Sequence, residues 1–454
     1  MIRDGTGIVF LLLSSGGHRG QAAPHDHPRQ RSGGKGVGLS SIDVDPSERP
    51  TRSSVTRFAD VTSVARRHWS DGRGKVLVAI SAGWFLSIGV RQAFPVLLPH
   101  LQTAYGLTLT TAGLLLTVLW LAYAVGQLPG GVLADRIGEG TTMVVSMAAA
   151  AGSVTLIVLG GPTILLFVAT GLFGFSTALF GVVRLSALSD VYPDSVGTAI
   201  GVMSAAGDLG NTVLPPIAAI LAVAVAWQFG FGFTIALFAL VALGIWLAVP
   251  RRTSDGSGGT AISLSGALET RSLLWTRSIV LITAIQIVAN AVYQAFTGFY
   301  PTYLMEVKGF SPTLASGLFA LFFAFGIVMK PLGGTAYDRV GTRRTLVVIL
   351  GGSGVALVAL PFVEGFWPVV GVTALVSVML GGGAVVLAYM TTAVPDRIQN
   401  TGLGTLRTVY MTVGAASPVV FGAVADRGFF DEAFFLLAAI SGVALVVLLW
   451  LPER

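Results

Sequence analysis

The chain contains no cysteine, which excludes disulfides, thiolate chemistry and cysteine-ligated metals. Histidine is scarce too. Of the five, His18, His25, His27 and His68 lie in the polar N-terminal region, and with His100 they form no spaced helical pair, so no metal site is expected. Charge is the third shortage. Only 11% of the 454 residues are charged and 53% are hydrophobic, whereas a soluble domain carries about 25% charged residues. The mean hydropathy is +0.79. So few charges cannot clothe a water-facing surface, so most of this surface must face lipid. The net charge of +6 gives no case for nucleic acid, because the basic residues sit at loop ends and form no patch. No nucleophile constellation and no Gly-rich lysine loop is visible, so neither an enzyme nor a cofactor is expected.

What is present is a succession of apolar segments of membrane-spanning length. They fall near 76–101, 109–134, 141–160, 163–189, 197–223 and 229–249, then near 277–304, 312–337, 344–362, 367–394, 402–425 and 432–451. The expected fold is an all-α membrane protein with twelve transmembrane helices in two pseudo-symmetric six-helix bundles, 74–249 and 276–454. A polar linker joins them over 250–275. Residues 1–73, rich in Gly, Ser, Arg, His and Pro, read as a disordered tail. The apolar run Ile8 to Leu13 is too short to span a membrane, and a floppy tail or over-long start is preferred to a signal peptide.

Loop charge sets the orientation. One side receives Arg66, Arg67, Arg73, Lys75, Arg136, Arg251, Arg252, Arg271, Arg277, Arg339, Arg343, Arg344, Arg397 and Arg454, and the other holds only Lys308 and Arg427. Basic loops stay cytoplasmic. A multi-pass protein of the plasma (inner) membrane with both termini cytoplasmic is expected.

The two halves repeat. Gly131-Val132-Leu133-Ala134-Asp135-Arg136-Ile137-Gly138 returns as Gly334-Thr335-Ala336-Tyr337-Asp338-Arg339-Val340-Gly341, 203 residues on (338 − 135 = 203). Val90-Arg91-Gln92-Ala93-Phe94 matches Val292-Tyr293-Gln294-Ala295-Phe296, Pro99 matches Pro301, Gln127 matches Lys330, and Pro193-Asp194 matches Pro395-Asp396. A parallel repeat of this kind is a transporter architecture with the solute site between the halves.

These residues resemble the major facilitator superfamily over about 76–451. Its signature between helices 2 and 3 is matched by Gly131, Leu133, Ala134, Asp135, Arg136 and Gly138, but Glu139 and Gly140 stand where two basic residues are expected. The second copy keeps Gly334, Asp338, Arg339, Gly341, Arg343 and Arg344. The resemblance implies a cytoplasmic gate latch. Asp135 would approach the start of helix 11, around Thr401 to Gly404, where the helix dipole favours it, and Arg136 would pair with Asp190. Thr392 occupies the position equivalent to Asp190 in the second half. The helix 5 pattern of exporters, Gly-x-x-x-Gly-Pro, appears here with Leu214 for its second glycine, which weakens the drug-exporter alternative.

Five ionisable residues fall inside the predicted helices: Arg91, Arg184, Asp208, Lys330 and Arg407. A basic residue at mid-helix costs about 2.5–3.5 kcal/mol on insertion scales, so these should face the interior. Four positive groups and one negative suit an anionic solute. Lys330 and Arg407 could instead snorkel to the cytoplasmic edge, and Arg184 could pair with Asp208. The polar stripe Gln286, Asn290, Tyr293, Gln294 and Thr297 lies on one face of helix 7. Ser204, Asp208 and Asn211 share a face of helix 5, and Trp120, Tyr123 and Gln127 a face of helix 2. In the resembled family helices 1, 4, 7 and 10 line the cavity, which adds Tyr389.

The expected function is secondary transport of a small organic anion by alternating access. Arg91, Gln92, Arg184, Gln286, Asn290, Tyr293, Gln294 and Tyr389 are the solute-binding candidates, and Asp208 the candidate for proton coupling in symport or antiport. The expected partners are the small-molecule solute, the lipid bilayer and protons, and the protein is expected to be a monomer. One alternative is an exporter of hydrophobic compounds, with Phe319, Phe322, Phe323 and Phe325 lining a greasy pocket. Another is a transport-inactive membrane sensor.

Overall fold

In the computed structural model the described residues are 72–253, 275–395 and 399–452. The expected tail over 1–71, most of the linker and the loop residues Asp396 and Arg397 lie outside them. The described chain is helical throughout, without a strand among the described residues. In chain order the helices are α1 (Arg73–Tyr105), α2 (Leu109–Ile137), α3 (Glu139–Leu159), α4 (Thr163–Val191), α5 (Val196–Ala224), α6 (Trp227–Ala248), α7 (Arg277–Glu306) and α8 (Pro312–Ala359). They continue with α9 (Phe366–Val376), α10 (Gly382–Ala393), α11 (Gln399–Gly414), α12 (Ser417–Ala425) and α13 (Phe430–Leu448). A short 3-10 turn, Ser377–Gly381, joins α9 to α10.

Eleven segments are long and apolar enough to cross a membrane. Ten match a predicted segment to within a few residues. The eleventh, Pro312–Phe362, is 51 residues long, and at about 1.5 Å per residue it would be roughly twice as long as a bilayer core is thick. It is not one helix in the physical sense. Gly341 breaks it with φ 81° and ψ 172°, a conformation glycine adopts without the Cβ clash other residues meet. Gly138 makes the same break between α2 and α3, with φ 87° and ψ 156°. The final glycine of the duplicated motif is therefore the residue that turns the chain.

The repeat seen in the sequence recurs as geometry. Thr108 caps α2 by accepting from the Thr111 N–H, and Ser311 caps α8 by accepting from the Leu314 N–H, again 203 positions apart (311 − 108 = 203). Near the far ends of the same two segments Gly130 lies against the backbone of Leu179, and Gly333 against that of Gly381. The offsets are 203 and 202 (333 − 130 and 381 − 179). Small residues allow such approach where lipid supplies no hydrophobic drive between helices.

Two features position the interior. First, α1 packs on α5 through facing glycines: a methyl at Gly89 would stand 2.6 Å from the Gly210 carbonyl oxygen. Second, the end of the protein bearing Tyr105, Leu109 and Ala425 is shut, with α2 laid against α12 and α5 against the first part of α8. Residues from Val90 to Leu98 in α1 and from Phe296 to Leu304 in α7 are all buried there. At the other end the motif residues Asp135, Arg136, Asp338 and Arg339 are exposed.

The glycine contact yields a direct test. Gly89→Ala should lower the thermal midpoint in detergent, by an amount corresponding to about 1–3 kcal/mol of overpacking. Gly152→Ala, where a methyl meets open space, should leave it unchanged or raise it slightly through helix propensity. Equal effects would contradict the packing account.

Candidate functional site

The interior holds two adjoining compartments. The first is a cluster of cations and aromatic rings on α1, α2 and α4. Arg91, near the middle of α1, is 1% exposed, and Arg184 on α4 is 5% exposed. The Arg91 guanidinium lies 3.8 Å from the Tyr123 ring centroid, 5.5 Å from that of Trp120 and 5.6 Å from that of Trp84. Arg184 stacks on the other side of the cluster, 3.6 Å from the Trp84 ring. Such contacts contribute about 0.5–2 kcal/mol each and use the flat faces of the guanidinia. The N–H edges remain. Arg91 Nε donates to the Ser87 carbonyl at 2.9 Å, but Arg91 Nη1, Arg184 Nε and Arg184 Nη1 are buried with no acceptor. No acid among the described residues pairs with either arginine.

The second compartment is a cavity of about 260 Å³ between the first half of the chain and the second. Asp208 and Asn211 of α5 and Gln286, Asn290 and Tyr293 of α7 supply much of its polar wall, with Lys330 of α8. Phe323 from the first part of α8, Leu346, Ile349 and Leu350 from its second part and Val386 of α10 are among the apolar residues that complete it. Gln92 links the compartments by donating from Nε2 to the Tyr293 hydroxyl at 3.2 Å. Asn290 is held by its own donation to the Tyr410 carbonyl at 3.2 Å. Asn211 Oδ1 and Gln92 Oε1 are buried without donors.

Several sequence expectations need correction here. Asp208 is not the partner of Arg184; its carboxylate takes an ion pair from Lys330, which joins α5 to α8 across the two halves of the chain. It is the only ion pair among the described residues. Lys330 therefore turns into the cavity and does not snorkel to the membrane edge. Tyr389 is buried away from the cavity and donates to the Pro452 carbonyl at 3.3 Å. Gln294 is buried on α7 with Oε1 unpaired, outside the cavity lining. Ser204 is exposed. Arg407 on α11 is half-buried, with Nε unpaired, and is an electrostatic neighbour of both Tyr123 and Arg184. The phenylalanines offered as a greasy pocket are mostly core: Phe319 and Phe322 are fully buried, Phe322 against Phe296, and only Phe323 reaches the cavity.

The unequal motif copies also acquire a reason. Glu139 and Gly140, which stand in place of a basic pair, hold the chain leaving α6. Gly140 N–H donates to the Arg251 carbonyl at 3.1 Å, and a side chain on Gly140 would overlap the Pro250 carbonyl. Glu139 Oε2 accepts the Thr253 N–H at 2.9 Å, and the Thr253 hydroxyl donates to Asp190 at 2.8 Å. Arg252 donates to the carbonyls of Asp135 and Arg136 at 3.0 and 3.3 Å. Asp190 is thus engaged by Thr253, and the implied Arg136–Asp190 pair is not formed. A methyl on Gly341 would meet nothing, so no such strap lies against Gly341 among the described residues. This clamp was not readable from the motif alone, because its other half lies over a hundred residues away.

Chains of known type share this geometry. The family description "Major Facilitator Superfamily" matches over residues 80–394 and 309–454. The chain belongs to the major facilitator superfamily. A hexuronate transporter of Bacillus subtilis is 24% identical over 387 residues, covering 78% of this chain and 90% of that one. A probable sulfoacetate transporter of Cupriavidus necator is 23% identical over 408 residues, covering 84% and 94%. Drug-resistance proteins also stand among the relatives. Among solved structures, a bacterial homologue of the human lysosomal transporter Spinster superposes with a TM-score of 0.70 at 19% identity, over 83% of this chain and 96% of that one.

The clamp gives a test within this superfamily member. Gly140→Lys, which restores the family's basic residue type, should dislodge the strap. Trypsin cleavage after Arg251 and Arg252 should then speed up by roughly 5-fold or more, as expected for losing about 1 kcal/mol of local stability. An unchanged cleavage rate would contradict the clamp.

Proposed function

We propose that the protein is a secondary transporter of small organic anions, working by alternating access. The observation that carries this reading is the pair Arg91 and Arg184, two buried guanidinia with unused donor edges and no acid beside them. Burying a charge without a partner costs several kcal/mol even after relaxation. A carboxylate or sulfonate bound at both edges would remove that cost, with flat two-point geometry that suits guanidinium. Gln92, Asn290, Gln286 and Tyr293 would take hydroxyls of the solute body in the adjoining cavity, and Arg407 would add field from α11. The activities named for the relatives, hexuronate and sulfoacetate transport, are of this chemical class.

The reading includes twelve spans, counting Pro312–Val340 separately from the stretch after Gly341, in two six-helix bundles. With the basic loops inside, both termini are cytoplasmic in the plasma membrane. The closed Asp426 end is then extracellular and the exposed Asp135 end cytoplasmic, so the state described is inward-facing. Asp135, Arg136, Gly138, Asp338, Arg339 and Gly341 would act as gating elements in the outward-facing state. Asp208 supplies proton coupling. While ionised it occupies Lys330; protonation discharges the pair and frees the ammonium for the incoming anion. The hydrophobic-exporter alternative is less favoured, because Phe319 and Phe322 pack into the core and only Phe323 of the α8 phenylalanines reaches the cavity.

Uptake into proteoliposomes tests both parts. A panel of hydroxylated carboxylates, sulfonates and cationic drugs should show accumulation of anions only. Arg91→Gln should weaken apparent affinity by roughly 10- to 100-fold, the range expected for a lost charged hydrogen bond. Asp208→Asn should abolish dependence on a pH gradient while leaving anion exchange. Full anion uptake in Arg91→Gln would sink the cationic site, and retained gradient dependence in Asp208→Asn would sink the coupling role.

A further inference from the structure

One of the two contacts that shut the closed end is an antiparallel seam between α2 and the α11–α12 span. A side chain on Gly422 would overlap the Leu109 carbonyl, and one on Gly113 would overlap that of Pro418. Further along, the Val419 N–H donates to Thr117 Oγ1 at 3.3 Å, and Gln127 Nε2 donates to Met411 Sδ at 3.3 Å. At the outer limit of the seam, just past α12, stands Asp426. Its carboxylate takes the first two N–H groups of α2, from Leu109 at 2.7 Å and Thr110 at 2.9 Å, and the Thr110 hydroxyl as well. The third N–H, of Thr111, goes to the local cap Thr108. The open donors of this helix N-terminus are thus shared between its own half and a carboxylate from the other. Helix N-termini carry partial positive charge, so the contact is charge-assisted.

Burial alone would raise the Asp426 pKa, but hydrogen bonds from the Thr110 and Thr108 side chains and from the Thr110 and Leu109 N–H groups outweigh it and hold it low. A carboxyl held low stays ionised as pH falls through the usual carboxylate range. Asp426 is therefore a standing anchor. Proton exchange does not operate it.

The seam has a second end. Carried on in the same antiparallel register, the pairs 113–418, 117–419 and 127–411 bring Asp135 opposite the first turn of α11, which opens at Gln399. Each helix would then end in an aspartate that meets the N-terminus of the other. Here one contact is made and the other is not: among the described residues the Asp135 carboxylate has no partner, and only its main-chain carbonyl is used, by Arg252.

We propose that Asp426 is the latch that holds this end shut during transport, alternating with Asp135, which takes the equivalent place on α11 when the opposite end closes. Only one of the two latches is made at a time, because the seam pivots between them. The proposal rests on the alternating-access reading, but its test needs no substrate.

The absence of cysteine makes the measurement simple. Thr103→Cys and Glu432→Cys place spin labels on exposed sites of α1 and α13 at the closed end, for distance measurement by pulsed electron resonance in nanodiscs. The parent should give mainly the short distance. Asp426→Asn should add a longer-distance population, raising the open-to-closed ratio by roughly 5- to 30-fold. Thr110→Val, which removes one donor and leaves the backbone intact, should shift it the same way by less, and decides the matter alone if the first variant fails to fold. Asp135→Asn should shift the ratio the opposite way. Parent-like distances in folded Asp426→Asn or in Thr110→Val would overturn the latch, and a same-direction shift in Asp135→Asn would overturn the alternation. Lost anion uptake with normal distances would count against the arginine site only.

Discussion

Everything about this interior follows from two guanidinium groups buried without a counter-ion. Arg91 and Arg184 are almost fully enclosed, and the stacked rings of Trp84, Trp120 and Tyr123 cover their faces while Arg91 Nη1, Arg184 Nε and Arg184 Nη1 keep no acceptor. Cation–π contacts of about 0.5–2 kcal/mol each offset only part of the cost of desolvating two charges. The remaining cost persists in the empty protein. On the proposed reading, that cost marks an incomplete site whose missing component has the opposite sign.

The partly buried carboxylate of α5 that might have completed the site is committed elsewhere. Asp208 is held by Lys330 from the other half of the chain, so the arginines and the ion pair are two separate electrostatic systems facing one cavity. On the proposed reading, this separation would let a proton on Asp208 and an anion on the arginines act in sequence. It also ties charge to motion, because the Asp208–Lys330 pair bridges the surfaces that must move relative to each other. Glycines set the limits of that motion. Where Gly113 and Gly422 let backbones touch, the end is closed, and at the opposite end Gly138 and Gly341 turn the chain.

Much of the fold was legible in the sequence, because a bilayer imposes a single length on apolar segments and a gene duplication imposes a single offset. The caps Thr108 and Ser311, the contacts at Gly130 and Gly333 and the turns at Gly138 and Gly341 all keep that offset. Arg91, Arg184, Lys330 and Asp208 were readable as interior because charges in lipid are expensive. Their pairing was not. Helical periodicity gives the face a residue occupies, and says nothing of which of two cations will reach Asp208. Tyr389 was misjudged for a similar reason: a position on a cavity-lining helix does not fix which way the ring points. Glu139 and Gly140 looked like losses from a motif and are contacts to Pro250–Thr253. Asp426 gave no local signal, since its donors lie more than three hundred residues earlier.

The most direct test of the central claim is thermal unfolding of the purified protein with and without organic anions, in the parent and in Arg184→Gln. Removing a buried, uncompensated charge should leave the empty variant at least as stable as the parent. Anions should raise the parent's midpoint through binding to the folded state, by the equivalent of about 2.7 kcal/mol at a hundredfold excess over the dissociation constant, and should not move the variant's. An empty variant that melts several degrees lower, with its response to anions intact, would show that Arg184 is structural and would contradict the account.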